Sequence, residues 1–93
     1  MDLEQKIIFS DTVFAQEVDG EMVLLDMNSE NYFGLDETGT VIWQAMQEKG
    51  TLQEVLEVLL EQYDAEEAVL KKDLLDFAGK LKENGLISLS KEG

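Results

Sequence analysis

The periodicity of this chain changes at Asp36. Before it, apolar residues come in short strand-like runs separated by polar turns; after it, they recur at three- and four-residue spacing. A period of two places alternate side chains on one face of a strand, and a period near 3.6 gathers them into one stripe of a helix. The chain is therefore expected to build a small sheet first and a set of helices second, an α+β arrangement.

In the first part, "TVFAQEV" is followed by Asp19-Gly20 and then by "EMVLLDM". Asp-Gly between two strand-like runs marks a tight hairpin, because the turn needs positive φ at its central residues. A second polar turn, Asn28-Ser29-Glu30-Asn31, leads into a short third strand, Tyr32-Phe33-Gly34-Leu35. The expectation is a three-stranded antiparallel meander, to which Ile7-Ile8-Phe9 could add a short edge strand.

In the second part, Asp36 is placed to cap a helix carrying Val41, Ile42, Ala45 and Met46, with Trp43 beside them and Gly50 at its end. Thr51-Leu52-Gln53-Glu54 has capping-box spacing. Behind it, Leu52, Val55, Leu56, Leu59, Leu60 and Tyr63 follow an amphipathic rhythm. Asp64-Ala65-Glu66-Glu67 offers the next N-cap. The third helix, Ala65 to Asn84, carries Val69, Leu70, Leu74, Phe77 and Leu81, and Gly85 is placed to end it. "LISLS" follows as a terminal strand. Three helices joined by short turns, with a small sheet, point to a winged helix-turn-helix fold spanning residues 1–93 as one domain.

Composition narrows the function. No histidine or cysteine is present, so the usual zinc ligands, imidazole bases and disulfides are excluded. The lack of cysteine is compatible with the cytosol, and a cytoplasmic protein is expected. The N-terminus has no basic start followed by an apolar block, and no apolar run reaches membrane-spanning length. Twenty-one acids against seven lysines, with no arginine, give a net charge of -14. Between residues 7 and 48 there are nine acids and no base. Such a surface repels nucleic acid, whose binding depends on cationic neutralisation of phosphates. It suits neutral or basic peptide partners, and it also serves solubility. The third helix holds four lysines and five acids, a poor reading head for DNA.

The residues 26–37, "DMNSENYFGLDE", imitate a twelve-residue calcium loop, with Asp26, Asn28, Glu30 and Glu37 at ligand positions. Asn31 stands where such loops need glycine, and a strand precedes the segment where a helix is required. A polar hairpin turn is the better reading, and no metal is expected. The carboxylate pairs Glu66-Glu67 and Asp73 with Asp76 read as solvated helix faces, and the spacing of Gly34 and Gly39 lacks the Lys-Ser/Thr of a phosphate loop. No catalytic residue and no cofactor are expected.

The order of these motifs resembles the PqqD-like family. The matching pieces are the strand ending Leu25-Asp26, the segment Tyr32-Phe33-Gly34-Leu35-Asp36, Thr38-Gly39 followed by Ile42-Trp43, the helix after Thr51, the Asp73-Leu74 and Phe77 block, and Gly85-Leu86-Ile87. They span roughly residues 12 to 89. Asp36 stands where the family more often has asparagine, which leaves the helix cap intact. The resemblance implies a winged-helix recognition element for ribosomally made, post-translationally modified peptides. It would bind the leader segment of a precursor and present the rest to a leader peptidase and cyclase, as in lasso-peptide pathways, or to a radical SAM enzyme. No nucleic acid and no membrane would be involved.

The resemblance also implies the binding mode, strand addition along the third strand with the leader packed against the third helix. On this chain the strand residues would be Asn31, Tyr32, Phe33, Gly34 and Leu35. The helix would supply Leu70, Leu74, Phe77 and Leu81 from its apolar stripe, with Asp73, Asp76 and Lys80 flanking. Plain core packing competes for each apolar residue, and a solvated face competes for the two aspartates. The alternatives from other classes are a regulatory protein-interaction module of winged-helix type and an enzyme subunit with carboxylate chemistry.

Overall fold

A computed structural model describes residues 3–90. The elements run β1 (Ile7–Phe9), β2 (Val13–Val18), β3 (Glu21–Asp26), β4 (Asn31–Gly34), α1 (Glu37–Glu48), α2 (Leu52–Gln62), α3 (Glu67–Glu83) and β5 (Ile87–Leu89). The fold is α+β: the antiparallel β2-β3-β4 sheet precedes three helices, and β1 and β5 form a second, two-stranded sheet. No helix among the described residues is long and apolar enough to cross a membrane.

The hairpin between β2 and β3 turns where the sequence predicts. Asp19 and Gly20 both have positive φ, 52° and 84°, the two-residue turn whose twist matches paired strands. β3 then alternates strictly, sending Met22, Leu24 and Asp26 inward. In β4 Phe33 is half-buried while Tyr32 and Gly34 are exposed. One further ladder bond, Leu35 N–H to the Met22 carbonyl at 2.8 Å, carries the pairing past the end of β4.

The helix ends are held by local chemistry. The Asp36 carboxylate accepts the Gly39 N–H at 2.7 Å and caps α1. The Thr51 hydroxyl oxygen accepts the Glu54 N–H at 3.2 Å, and the hydroxyl donates to the Glu54 carboxylate at 3.1 Å. At the end of α3, Gly85 takes φ 75°. Its N–H reaches the Lys82 carbonyl at 3.1 Å, and the Leu86 N–H reaches Leu81 at 2.9 Å. This is the Schellman pairing, which satisfies the last orphan carbonyls.

Two expectations are corrected. α3 begins at Glu67, not at Ala65, and its N-cap residue Glu66 makes no side-chain capping bond. The N-cap thus falls within the expected stretch 64–67, and the Glu66 carbonyl receives the N–H groups of Val69 and Leu70, both at 3.1 Å. Ile7-Ile8-Phe9 does not extend the meander. It pairs antiparallel with β5, Phe9 opposite Ile87, and the Phe9 ring meets buried Trp43 edge-on at a centroid distance of 5.0 Å. That aromatic contact and the ladder to β5 bury more of β1 than an exposed sheet edge would.

The core lies between the inner face of the large sheet and the three helices. Leu24, Met46, Leu52, Val55, Leu56, Leu59, Leu74 and Leu86 are fully enclosed. Thr40 ties α1 to β3, its hydroxyl oxygen accepting the Met22 N–H at 3.0 Å.

Candidate functional site: a groove beside the open edge of β4

β4 is the last strand of its sheet, so one of its edges is unpaired. Antiparallel ladders alternate, with successive residues bonding inward and outward. Leu35 bonds to Met22, and the register pairs Phe33 with Leu24 and Asn31 with Asp26. The N–H and C=O groups of Tyr32 and Gly34 therefore point to the open side. Neither residue carries a charge or a Cδ ring that would blunt this edge.

Beside the edge runs an open groove of about 310 Å³. Phe33, Gly34 and Leu35 form its strand wall, and Phe77, Lys80 and Leu81 its helix wall. Six of the residues predicted from sequence thus come together here. The rest are distributed differently. Asn31 and Tyr32 continue the strand beyond the groove, and Tyr32 is 74% exposed. Leu70 and Asp73 line a neighbouring cavity of about 160 Å³ with Thr38, Ile42 and Tyr63. Leu74 is wholly buried in the core, under the stripe rather than on its surface. Asp76 is exposed and faces Lys72 at 3.6 Å, one turn away on the same helix.

The sequence reading omitted Asp36, Asn84 and Leu86, which complete the groove. The signal for Asn84 was available: it continues the stripe of residues 74, 77 and 81 by one more three-residue step. Its amide donates to the Lys80 carbonyl at 2.8 Å, closing the helix end beside the groove. Gly39 sets how near α1 stands to that wall. A Cβ there would lie 3.2 Å from the Asp36 carboxylate and 3.3 Å from the Phe77 ring.

The calcium-like segment is a hairpin turn. Buried Asp26 accepts the Thr12 hydroxyl at 2.9 Å, the Ser29 hydroxyl at 2.9 Å and the Asn28 N–H at 3.1 Å. The Ser29 hydroxyl lowers its pKa most; desolvation opposes this, and Thr12 and the backbone N–H groups of Asn28 and Ser29 add to the lowering, so the carboxyl titrates below its ordinary 3.8. The left-handed residue of the turn is Glu30, at φ 61°, not Asn31. Among the described residues no group of three or more carboxylates converges on a point that could hold an ion. What the turn does is set β4 against β3.

An unpaired strand edge over an apolar groove can accept an extended peptide: its backbone pairs with the edge, and its alternate side chains enter the groove. Comparison with known proteins places the fold in a family. The family model for coenzyme PQQ synthesis protein D (PqqD) matches residues 21–87. The solved structure of TbiB1 in complex with the TbiA(beta) leader peptide is 31% identical, covers 87% of this chain and 94% of that one, and superposes with a TM-score of 0.82. Lasso peptide synthetase B1 complexed with the leader peptide is 27% identical over 88% of this chain and 96% of that one, with a TM-score of 0.80. No curated protein matches the sequence. By fold, by motif order and by a match over most of its length, the chain belongs to the PqqD family.

Proposed function

We propose that this chain is a non-catalytic adaptor that binds the leader segment of a ribosomally made precursor peptide and presents it to the modifying enzymes of its pathway, of the lasso-peptide or a related type. The leader adds as a strand to β4, and its apolar side chains seat between β4 and α3. The observation that carries the reading is the coincidence of the outward N–H and C=O groups of Tyr32 and Gly34 with the groove walled by Phe33, Leu35, Phe77 and Leu81. The similar chains bound to leader peptides support it. So does the chemistry available: without histidine or cysteine, and without convergent carboxylates among the described residues, binding is the better-supported role. The domain would work in the cytosol, where precursor peptides are made, beside a leader peptidase, cyclase or radical SAM enzyme. Asn31, Tyr32, Leu70, Asp73 and Lys80 would extend the contact beyond the groove centre.

The test is an NMR titration of the full chain with the leader of a precursor encoded beside it. Amide shifts concentrated on residues 31–35 and 70–81, with a Kd of about micromolar or tighter, are the expected result. Shifts centred on α2, or no binding, would sink the proposal.

A further inference from the structure

The chain has three asparagines, and one of them is followed by glycine: Asn84-Gly85. This dipeptide is the most open to self-modification, because glycine places no Cβ over its own backbone nitrogen and leaves the chain free to turn. The Gly85 nitrogen can then attack Cγ of the Asn84 side chain. A C–N bond forms, the Gly85 proton and the side-chain amide leave together as ammonia, and a five-membered succinimide results. Water opens the ring on either side. Attack at Cγ gives aspartate; attack at the Asn84 main-chain carbonyl gives isoaspartate, with an extra carbon in the backbone. Water is the only co-reactant.

The fold puts this dipeptide where the reaction is held shut and where its product matters. Asn84 has φ -91° and ψ 6°. Near ψ 0° the Gly85 nitrogen eclipses the Asn84 nitrogen and lies away from the side chain. The Gly85 N–H also donates to the Lys82 carbonyl at 3.1 Å, and the Asn84 side-chain amide donates to the Lys80 carbonyl at 2.8 Å. Attacking and attacked groups are thus both held by the same helix end. Both residues are exposed, so water reaches them once the turn opens. Helix ends open locally at far lower cost than the whole domain unfolds. Asn84 also lines the groove, and the Schellman turn that follows it carries Leu86 into the same groove.

We propose that Asn84-Gly85 is a self-modification site governed by the C-terminal turn of α3, closed while the groove is occupied and open to conversion while it is empty. A peptide that binds only the closed turn lowers the open fraction in step with its saturation. The occupied chain is spared and the empty one ages. The product disables the groove. A carboxylate at position 84 cannot donate to the Lys80 carbonyl, and it sits at the negative end of the helix dipole. The isoaspartate form also lengthens the backbone inside the Schellman turn and displaces Leu86. The occupant's identity rests on the adaptor reading; the conversion itself does not.

The test incubates the full chain in mildly alkaline buffer, alone and with the leader peptide, and follows each asparagine by peptide mapping and mass spectrometry. In the free chain Asn84 should convert ahead of Asn28 and Asn31, whose successors are Ser29 and Tyr32. Leader at about 100 times its Kd should slow conversion at Asn84 by about tenfold or more. Asn84→Gln keeps an amide but closes its ring far more slowly, and it should abolish conversion at that position. Asn84→Asp supplies the product charge directly and should weaken the leader by about threefold. Conversion at Asn84 no faster than at Asn28 and Asn31 in the free chain, or equally fast with and without bound leader, overturns the proposal. So does an Asn84→Asp chain that binds the leader as tightly as wild type. A leader that fails to bind the wild-type chain overturns the adaptor reading instead, while the free-chain arm still decides whether Asn84 is the reactive asparagine.

Discussion

The large sheet has two unpaired edges, and a groove walled by α3 lies beside only one of them. On β2 the outward backbone groups belong to residues of the parity of Ala15 and Glu17; on β4 they belong to Tyr32 and Gly34. Both edges offer hydrogen bonds. β2 is exposed along nearly its whole length and places a glutamate on its edge. β4 lies beside α3, and Phe33, Leu35, Phe77 and Leu81 wall a groove at its flank. Unpaired backbone invites any strand; pockets for alternate side chains select one. The difference between the edges is thus made by the helix, not by the strands.

The sharpest way to break this comparison is proline. Gly34→Pro removes an outward N–H and obstructs pairing, without taking a bond from the β3 ladder. Leader affinity measured by calorimetry should fall by about 100-fold, the equivalent of one lost backbone bond and a clash. Ala15→Pro makes the same change on the β2 edge and should leave leader affinity unaltered, as should Glu66→Ala at the start of α3. Equal losses from Gly34→Pro and Ala15→Pro would show that the edges are equivalent and the assignment to β4 wrong.

A second prediction separates groove from core on one helix. Phe77 and Leu74 are neighbours on the α3 stripe, but Phe77 is half-buried in the groove wall and Leu74 is enclosed. Phe77→Ala should weaken the leader by about 30-fold, as for a central anchor residue. Leu74→Ala should cost about 2–5 kcal/mol of stability, read as a lower Tm, while the fraction that remains folded binds normally.

Gly39 allows a finer adjustment. Gly39→Ala puts a methyl against the Phe77 ring at 3.3 Å, and that ring yields toward the groove. Leader affinity should drop by about threefold, while stability stays within about 1 kcal/mol because better helix propensity offsets the crowding. A gain in affinity would mean that Phe77 does not wall the binding surface.

The smallest effect on binding concerns the turn between β3 and β4. Asp26 takes bonds from Thr12 just before β2 and from Ser29 just before β4. Its folded pKa lies below the ordinary 3.8, so its contribution to stability is fully present above that value and is lost as pH falls through the folded pKa. The Tm gap between wild type and Asp26→Asn should therefore be constant from about pH 8 to 5 and close below about pH 4. A gap that widens on acidification would contradict the hydrogen-bonded carboxylate.

Much of this was legible in the residues. Asp19-Gly20 makes its turn, Asp36 and Thr51 cap their helices, and Gly85 closes α3, because each depends on partners three to five positions away. The parity that turns Phe33 inward and Tyr32 outward is equally local. Less legible was the helix side of the site. Leu70, Leu74, Phe77 and Leu81 share one periodic stripe, and periodicity says which residues turn toward the protein but not which of them meet core, groove or a neighbouring cavity. Leu86 joins the groove only because the Schellman turn folds the chain back beside β4.

By itself, then, the sequence determined the elements, the caps of α1 and α2, the turns, the acidic and base-free character of the sheet, and the opposite faces of Tyr32 and Phe33, all matters of short-range sterics and hydrogen bonding. Only the tertiary structure decided that Ile7–Phe9 pairs with Ile87–Leu89 across nearly the whole chain, and that α3 lies beside the open edge of β4. A strand-like segment can pair with any free edge, and an apolar stripe can pack on any apolar face. Which partner it takes is set by the total surface buried when all the elements assemble.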